Sequence, residues 1–324
     1  MLSTEQLSAL RRQLPAFPRP AADIPGFDAY CHYYAIDFAG QDPTLTHLAG
    51  TVTSGPFILA VHLWQRPAAR GNLLLVHGYT DHVGVFGHLV GWGLANNLNV
   101  LAFDLPGHGL SSGEPAAIDS FSQYSRAVHD VLAAVPLPSL PLYAIAQSTG
   151  CAALMDYAQH VATEGDWPFD RVAFLAPLVR PLRWPWARLA LRLLSPFTSG
   201  LNRKVTRNTS DGAFRAVLAQ DPLQPDKLSF RWMRALEAWL TQLQRKDFGV
   251  GPVLIVQGDD DGTVDGHYNV PVVQALFAGS QLELIAGAGH QLANEAPAIR
   301  QQYQASLEAW FGLLEPESRQ LGQK

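Results

Sequence analysis

Cysteine is nearly absent. Cys31 and Cys151 are the only two in 324 residues, too few for a disulfide framework or a cysteine-based zinc site. Cys151 reads as a small packing residue at a tight helix start rather than a reactive thiol. Long apolar runs are missing as well: no stretch of about 18 uncharged apolar residues is available to cross a bilayer. Met1 to Leu14 carries Glu5, Arg11 and Arg12 where a secretory signal needs a continuous apolar core, so the expected compartment is the cytoplasm. Charge is sparse, at 16% with a net of −5, and Lys and Arg form no cluster, which argues against a phosphate-tracking face and nucleic-acid partners. No internal repeat or low-complexity segment is visible. What is abundant is apolar content, 48%, which fits a compact soluble protein with a large core.

The first 46 residues, rich in Pro and Ala, read as an irregular lead-in with a short helix. Leu48–Thr53 and Phe57–Trp64 predict a hairpin around Ser54-Gly55-Pro56. An alternation follows, with strands at Asn72–Val76, Asn99–Phe103, Leu140–Ala146 and Arg171–Leu175 and helices at Val85–Leu98, Ser120–Val135 and Thr149–Thr163. Short, fully apolar strands separated by helices are what a parallel sheet covered on both faces requires. The pattern breaks from Pro177 to about Phe248, where four or five helical pieces and no clear strand are expected. It resumes with strands at Pro252–Val256 and Gln281–Ile285 and a last helix from about Leu292 to Leu314. Some seventy residues exceed one crossover. The predicted organisation is therefore a core of residues 1–177 and 249–324, interrupted by a helical cap at 178–248 over the carboxyl ends of the strands, where open α/β sheets place their sites.

The run Leu142-Tyr143-Ala144-Ile145-Ala146-Gln147-Ser148-Thr149-Gly150 takes a strand directly into a helix through a serine. A serine in so tight a turn needs small residues two before and two after, and Ala146 and Gly150 supply them. The turn exposes the hydroxyl and aims the next backbone N–H where an oxyanion would form. An ordinary Ser-Thr-Gly loop is the bland alternative, so the reading needs a base and an acid. Of eleven histidines, His290 follows the last strand and the Ala286-Gly287-Ala288-Gly289 turn, at the same sheet edge as Ser148. His108, in a Gly-flanked loop, is the weaker rival, and His32, His47, His62, His88, His129, His160 and His267 read as surface or packing residues. After strand Pro252–Val256, Asp259, Asp260, Asp261 and Asp265 cannot all be buried and ionised; one is expected to reach a histidine N–H. A calcium loop beginning at Asp261 fails because Val272 falls where the twelfth-position carboxylate belongs. His77, Asp81 and His82 are unsuited to a metal site, because Tyr79 occupies the offset a second histidine would need. The Gly-containing turn after Leu73–Val76 is instead suited to offering a backbone N–H to an oxyanion. The order serine, aspartate, histidine along the chain is that of α/β-hydrolase triads.

On these motifs the chain resembles the serine hydrolases of the α/β-hydrolase superfamily, in the S33-type branch containing monoacylglycerol lipases and lysophospholipases. The matching segments are His77-Gly78 with Asp81-His82, Asp104-Leu105-Pro106-Gly107-His108-Gly109-Leu110-Ser111, the serine turn, and Gly287-Ala288-Gly289-His290 with Glu295. The resemblance implies a mostly parallel eight-stranded sheet with helices on both faces, and a cofactor-independent ester hydrolase needing no metal. It implies Ser148 as nucleophile, Asp261, three residues after Gly258, as acid, and His290 as base, with the N–H groups of Tyr79 and Thr149 as oxyanion hole. Two positions depart from the branch: Ala146 replaces its first elbow glycine, and Gln147 stands where histidine is usual.

The cap region interleaves Trp184, Trp186, Leu189, Leu191, Leu193 and Leu194 with Arg180, Arg183, Arg188 and Arg192. A lid packing its apolar face on the core is expected over docking at a lipid interface, although peripheral membrane contact through the cap is the alternative. The expected partner is a small ester with an apolar acyl group. A peptidase, thioesterase or carbon–carbon hydrolase on the same triad, and a ligand receptor that kept the fold, are the rival functions. Dehalogenase and epoxide-hydrolase chemistry would need an aspartate in place of Ser148.

Overall fold

A computed structural model describes residues 2–161, 165–203 and 208–314. Its strands are β1 (Arg19–Pro20), β2 (Thr46–Ser54), β3 (Phe57–Gln65), β4 (Gly71–Val76), β5 (Leu98–Phe103), β6 (Leu142–Gln147), β7 (Arg171–Leu175), β8 (Gly200–Asn202), β9 (Lys227–Ser229), β10 (Val253–Gly258) and β11 (Gln281–Ile285). Its helices are α1 (Thr4–Gln13), α2 (Phe27–Tyr33), α3 (Phe38–Gln41), α4 (Gly87–Ala95), α5 (Ser122–Ala134), α6 (Thr149–Val161), α7 (Trp184–Leu194), α8 (Gly212–Ala219), α9 (Phe230–Gln242), α10 (Gly266–Leu276) and α11 (Pro297–Phe311). The expected end of the α6 helix at Thr163 lies outside the described residues.

Nine strands form one sheet in the order β1-β2-β3-β5-β4-β6-β7-β10-β11. The pairs from β5 through β11 are parallel, whereas β1, β2 and β3 join by antiparallel pairing. This is the α/β-hydrolase arrangement expected from the alternation, with one strand more than the eight anticipated. The extra one, Arg19–Pro20, is two residues long and pairs only with β2; so short a segment ending in proline carries no strand pattern. Because successive strand residues face opposite ways, Leu74 and Val76 enter one core with α5 and α6, while Leu73 and Leu75 enter the other with α4 and α11. Burial on both faces is why these strands are apolar throughout.

The lead-in is more ordered than expected. It contains α1, capped by Ser3 and Gln6 in a reciprocal capping box, and α2, whose Phe27 and Tyr30 are buried in the second core. The 178–248 segment also differs. Among the described residues it holds three helices, α7 to α9, and a two-stranded antiparallel ribbon, β8 against β9. Three-residue strands are too brief to show alternation, so composition pointed to helix alone. On α7, Trp184 and Leu191 turn inward, but Trp186 is 71% exposed and Leu193 61%, and Phe197 just beyond is 86% exposed. The apolar face is thus split between the core and solvent. Among the described residues no helix is long and apolar enough to cross a membrane.

Candidate active site

Chain order turns back between β4 and β6: β4 leads to β5 on one side, and β6 returns to the other. Crevices form at such switch points, beyond the carboxyl ends of the strands. Ser148 lies there, directly after β6. Its φ is +52°, a left-handed conformation costly for a side chain other than glycine. Two backbone bonds hold the turn: Ser148 N–H donates to Leu175 O at 2.9 Å, and Cys151 N–H donates to Ser148 O at 3.0 Å. Gly150 allows the helix to pass close to β4, since a Cβ there would lie 2.3 Å from Val76 O. Cys151 is fully buried, and burial pushes its thiol well above its ordinary pKa, in keeping with a packing role.

His290 Nε2 is 2.9 Å from Ser148 Oγ, and His290 Nδ1 is 2.8 Å from Asp261 Oδ2. The Asp261 side chain is 3% exposed. Its Oδ1 accepts from the N–H groups of Thr263 and Val264, and its Oδ2 also accepts from Gln257 Nε2 at 3.1 Å. A carboxylate so supplied with donors can only accept from His290, which fixes Nδ1 as the protonated nitrogen and leaves Nε2 facing the serine hydroxyl. Burial alone would lower the His290 pKa, but Asp261, with Asp81 farther off, outweighs it and holds the imidazole above its ordinary value. For Asp261 burial works upward and His290 downward, and the net position is below the usual carboxylate range. The rest of the aspartate loop divides as charge requires. Asp259 accepts from Gly287 N–H, Asp265 pairs with Arg180 through Nη2 at 2.6 Å, and Asp260 is exposed.

The His290 loop is braced by Glu295, which is fully buried and accepts from Gly289 N–H at 2.6 Å and Ser210 N–H at 2.7 Å. On the β4 side, His77 donates from Nδ1 to Gly78 O at 2.7 Å and accepts Leu105 N–H on Nε2. Asp104 accepts from Val83 and Leu110 N–H groups at 2.7 Å each, so the Asp104–Ser111 motif clamps the neighbouring turn. In that turn Thr80 has a φ of +68°. The Tyr79 N–H has no acceptor among the described residues, and Thr149 opens α6, where first-turn N–H groups lack intrahelical acceptors. The Tyr79 side chain reaches the 178–248 segment: its ring stacks on Trp232 at 4.1 Å and its hydroxyl accepts from Ser229 N–H.

These residues open on a cavity of about 360 Å³, lined by Tyr79, Ser148, Thr149 and His290 on one side. Leu178, Trp184, Leu218, Leu228, Trp232 and Met233 supply apolar walls on the other, a lining suited to an apolar ligand. His108, the rival base, is buried away from it and bonded to Pro106 O.

Three features here are not legible from the sequence, although Gln147, Asp81 and His82 each stand out there for other reasons. Asp221 meets His82 at 2.8 Å with both side chains fully buried, and Tyr34 donates to its other oxygen. Gln147 and Gln291 bond to each other and to Asp81. Thr80 is strained. The partners of His82 and Gln147 lie far away along the chain, and no local pattern shows such contacts or the backbone strain at Thr80.

Comparison with known proteins finds a family, a relative and two similar structures. A family model described as serine aminopeptidase, S33, matches residues 67–297. A monoacylglycerol lipase of Mycolicibacterium smegmatis is 25% identical over 237 residues, spanning 70% of this chain and 83% of the relative. A soluble variant of the monoglyceride lipase of Saccharomyces cerevisiae, solved with a substrate analog, superposes with a TM-score of 0.67 at 20% identity, covering 80% of this chain and 93% of the other. The Paleococcus ferrophilus monoacylglycerol lipase gives 0.66 at 20% identity, covering 79% and 99%. The two structures are likenesses of fold.

Proposed function

This chain belongs to the serine aminopeptidase S33 family of α/β-hydrolases, and from that premise we propose that it cleaves carboxylic esters of apolar acyl groups through an acyl-enzyme on Ser148. The observation that carries the proposal is the continuous bonded line Asp261–His290–Ser148 ending at an apolar cavity. His290 Nε2 takes the Ser148 proton as Oγ attacks the acyl carbonyl carbon. The N–H groups of Tyr79 and Thr149 hold the oxyanion, each such donor contributing about 3 to 4 kcal/mol in the transition state. His290 then gives the proton to the departing alcohol, and a water activated by the same nitrogen releases the acid. Asp261 keeps Nδ1 protonated throughout. Residues 178–248 act as a cap that closes the acyl cavity.

An ester rather than a peptide is favoured by the walls of the cavity, where Trp184, Leu218, Leu228 and Met233 fit an acyl chain. The monoacylglycerol lipases it resembles point the same way. A fluorophosphonate probe tests the nucleophile: the wild type should label and Ser148→Ala should not, while its kcat falls by about a millionfold. Labelling that persists in Ser148→Ala would overturn the assignment. A chain-length series of p-nitrophenyl esters then reads the acyl preference, and thioester and amide substrates with the same acyl group separate the ester reading from a thioesterase or peptidase.

The exposed Trp186, Leu193 and Phe197 favour a second element of function, docking of the cap on aggregated lipid. Arg183, Arg188 and Arg192 lie on the same segment, and apolar rings among cations suit an interfacial helix.

A further inference from the structure

A second buried set of side chains lies beside the first. Gln147 immediately precedes Ser148, Gln291 immediately follows His290, and Asp81 follows the Tyr79–Thr80 turn; all three are buried. Gln147 Nε2 donates to Gln291 Oε1 at 2.7 Å and more weakly to Asp81 Oδ2 at 3.5 Å. Gln291 Nε2 donates to both oxygens of Asp81, at 3.0 and 3.2 Å. The Asp81 carboxylate rests against the oxyanion turn itself: a Cβ on Gly78 would lie 2.9 Å from Asp81 Oδ2 and 3.3 Å from Ser148 Cβ.

The amide orientations follow from one backbone group. Ala293 N–H can only donate, and it meets Gln147 Oε1 at 2.9 Å. Gln147 must therefore turn its NH₂ to Gln291, which must receive it on Oε1. That leaves the Gln291 NH₂ for Asp81, which must accept. The Gln147 amide is fully used: Oε1 accepts from Ala293 N–H, and Nε2 donates to Gln291 Oε1 and more weakly to Asp81 Oδ2.

We propose that Gln147, Gln291 and Asp81 form a positioning relay that locks the serine turn, the His290 loop and the oxyanion turn in one register, with its polarity dictated by Ala293 N–H. The proposal rests on the roles given above to Ser148 and His290. Its physical warrant is that the three links tie together the three loops whose relative placement decides the rate, where a displacement of about 1 Å costs on the order of a hundredfold. Burial pushes the Asp81 pKa up, and Gln291, His290, His82 and Arg203 oppose that rise. Asp81 and Asp261 are the carboxylates that act on His290.

Reversing the polarity tests it. Gln147→Glu sets an acceptor against Gln291 Oε1, and Asp81→Asn sets a donor against the NH₂ groups of Gln147 and Gln291; each leaves like groups facing. With both substitutions and Gln291 turned over, the carboxylate at 147 accepts from Ala293 N–H and Gln291, and the amide at 81 donates to Gln291. On p-nitrophenyl butyrate each single variant should lose about tenfold or more in kcat with KM within about twofold, and the double variant should recover to within about threefold of wild type. Asp81→Asn should also move the acid limb of the kcat/KM profile to lower pH, since one carboxylate acting on His290 is neutralised. Gln291→Met, which removes the bridge at similar volume, should lose kcat as the singles do, and it carries the test if a single variant fails to fold. Single variants or Gln291→Met with wild-type kcat, or a folded double variant no better than the worse single, overturn the relay alone. A wild type with no Ser148-dependent fluorophosphonate labelling overturns the hydrolase reading and the relay with it.

Discussion

Ser148 and Thr80 both line the cavity, and both sit at positive φ, +52° and +68°. Strain at two such positions persists only where the surroundings over-determine it, and here the bonds of Ser148 N–H to Leu175 O and of Asp81 N–H to Gly78 O do so. The charge state of His290 belongs to the same scale. Its pKa is raised by Asp261 against the effect of burial, and in the proposed role of base it works only when neutral, so kcat/KM should fall on the acid side with a midpoint above the ordinary histidine value of about 6.5. Asp261→Asn should move that midpoint down and lower kcat by about 10⁴-fold, because the wrong tautomer then faces Ser148. A pH–rate profile of both proteins checks this; a wild-type midpoint below that of the variant would contradict the assigned pair. Ser148 and His290 were marked by local pattern, and a loop of four aspartates announces itself, but only the family resemblance picked Asp261 out of that loop. Gln147 drew notice only as a departure from the branch and Gln291 drew none, because nothing within ten residues of either reveals what the amide meets.

At the scale of elements, the strands of the core were legible because burial on both faces makes them apolar from end to end. The β8–β9 ribbon was hidden by its length, and α10 by Pro271 in its interior and the weak amphipathicity of its sequence. The link between the 178–248 segment and the turn after β4 was equally hidden: Asp221, between α8 and β9, joins His82, and the two are 139 residues apart. Burial would lower the His82 pKa, but Asp221 raises it overall; burial would raise that of Asp221, but His82 and Tyr34 lower it overall. The histidine share of the stabilisation is complete below its unfolded pKa and is lost as pH rises through the raised folded value. The aspartate share is present above its unfolded pKa and is lost as pH falls through the lowered one. The pair should thus contribute most between about pH 4 and 6.5. Asp221→Asn should destabilise the protein by about 3 kcal/mol in that window, the cost of breaking a buried pair. Urea unfolding of both proteins at pH 5.5 and pH 9 reads it, and an equal difference at the two pH values would mean that the pair carries no charge.

Over the whole molecule, the exposed Trp186 and Phe197 allow the proposed docking of the cap on aggregated lipid to be tested. Replacing both by serine should leave kcat/KM for water-soluble p-nitrophenyl acetate within about twofold, because neither lines the cavity. Turnover of micellar monoacylglycerol should fall about tenfold with the loss of apolar contact. A parallel fall on both substrates would assign these side chains to packing instead. Local chemistry along the chain was enough to indicate an α/β-hydrolase sheet, a serine turn, an acid loop and a histidine loop, because burial, strain and charge crowding leave marks within a few neighbouring residues. Folding alone decided that His82 faces Asp221, that Gln147 faces Gln291, and that the apolar face of α7 is divided between core and solvent. Those contacts join loops a hundred or more residues apart, and their identity depends on strand order and loop path, which no local pattern encodes.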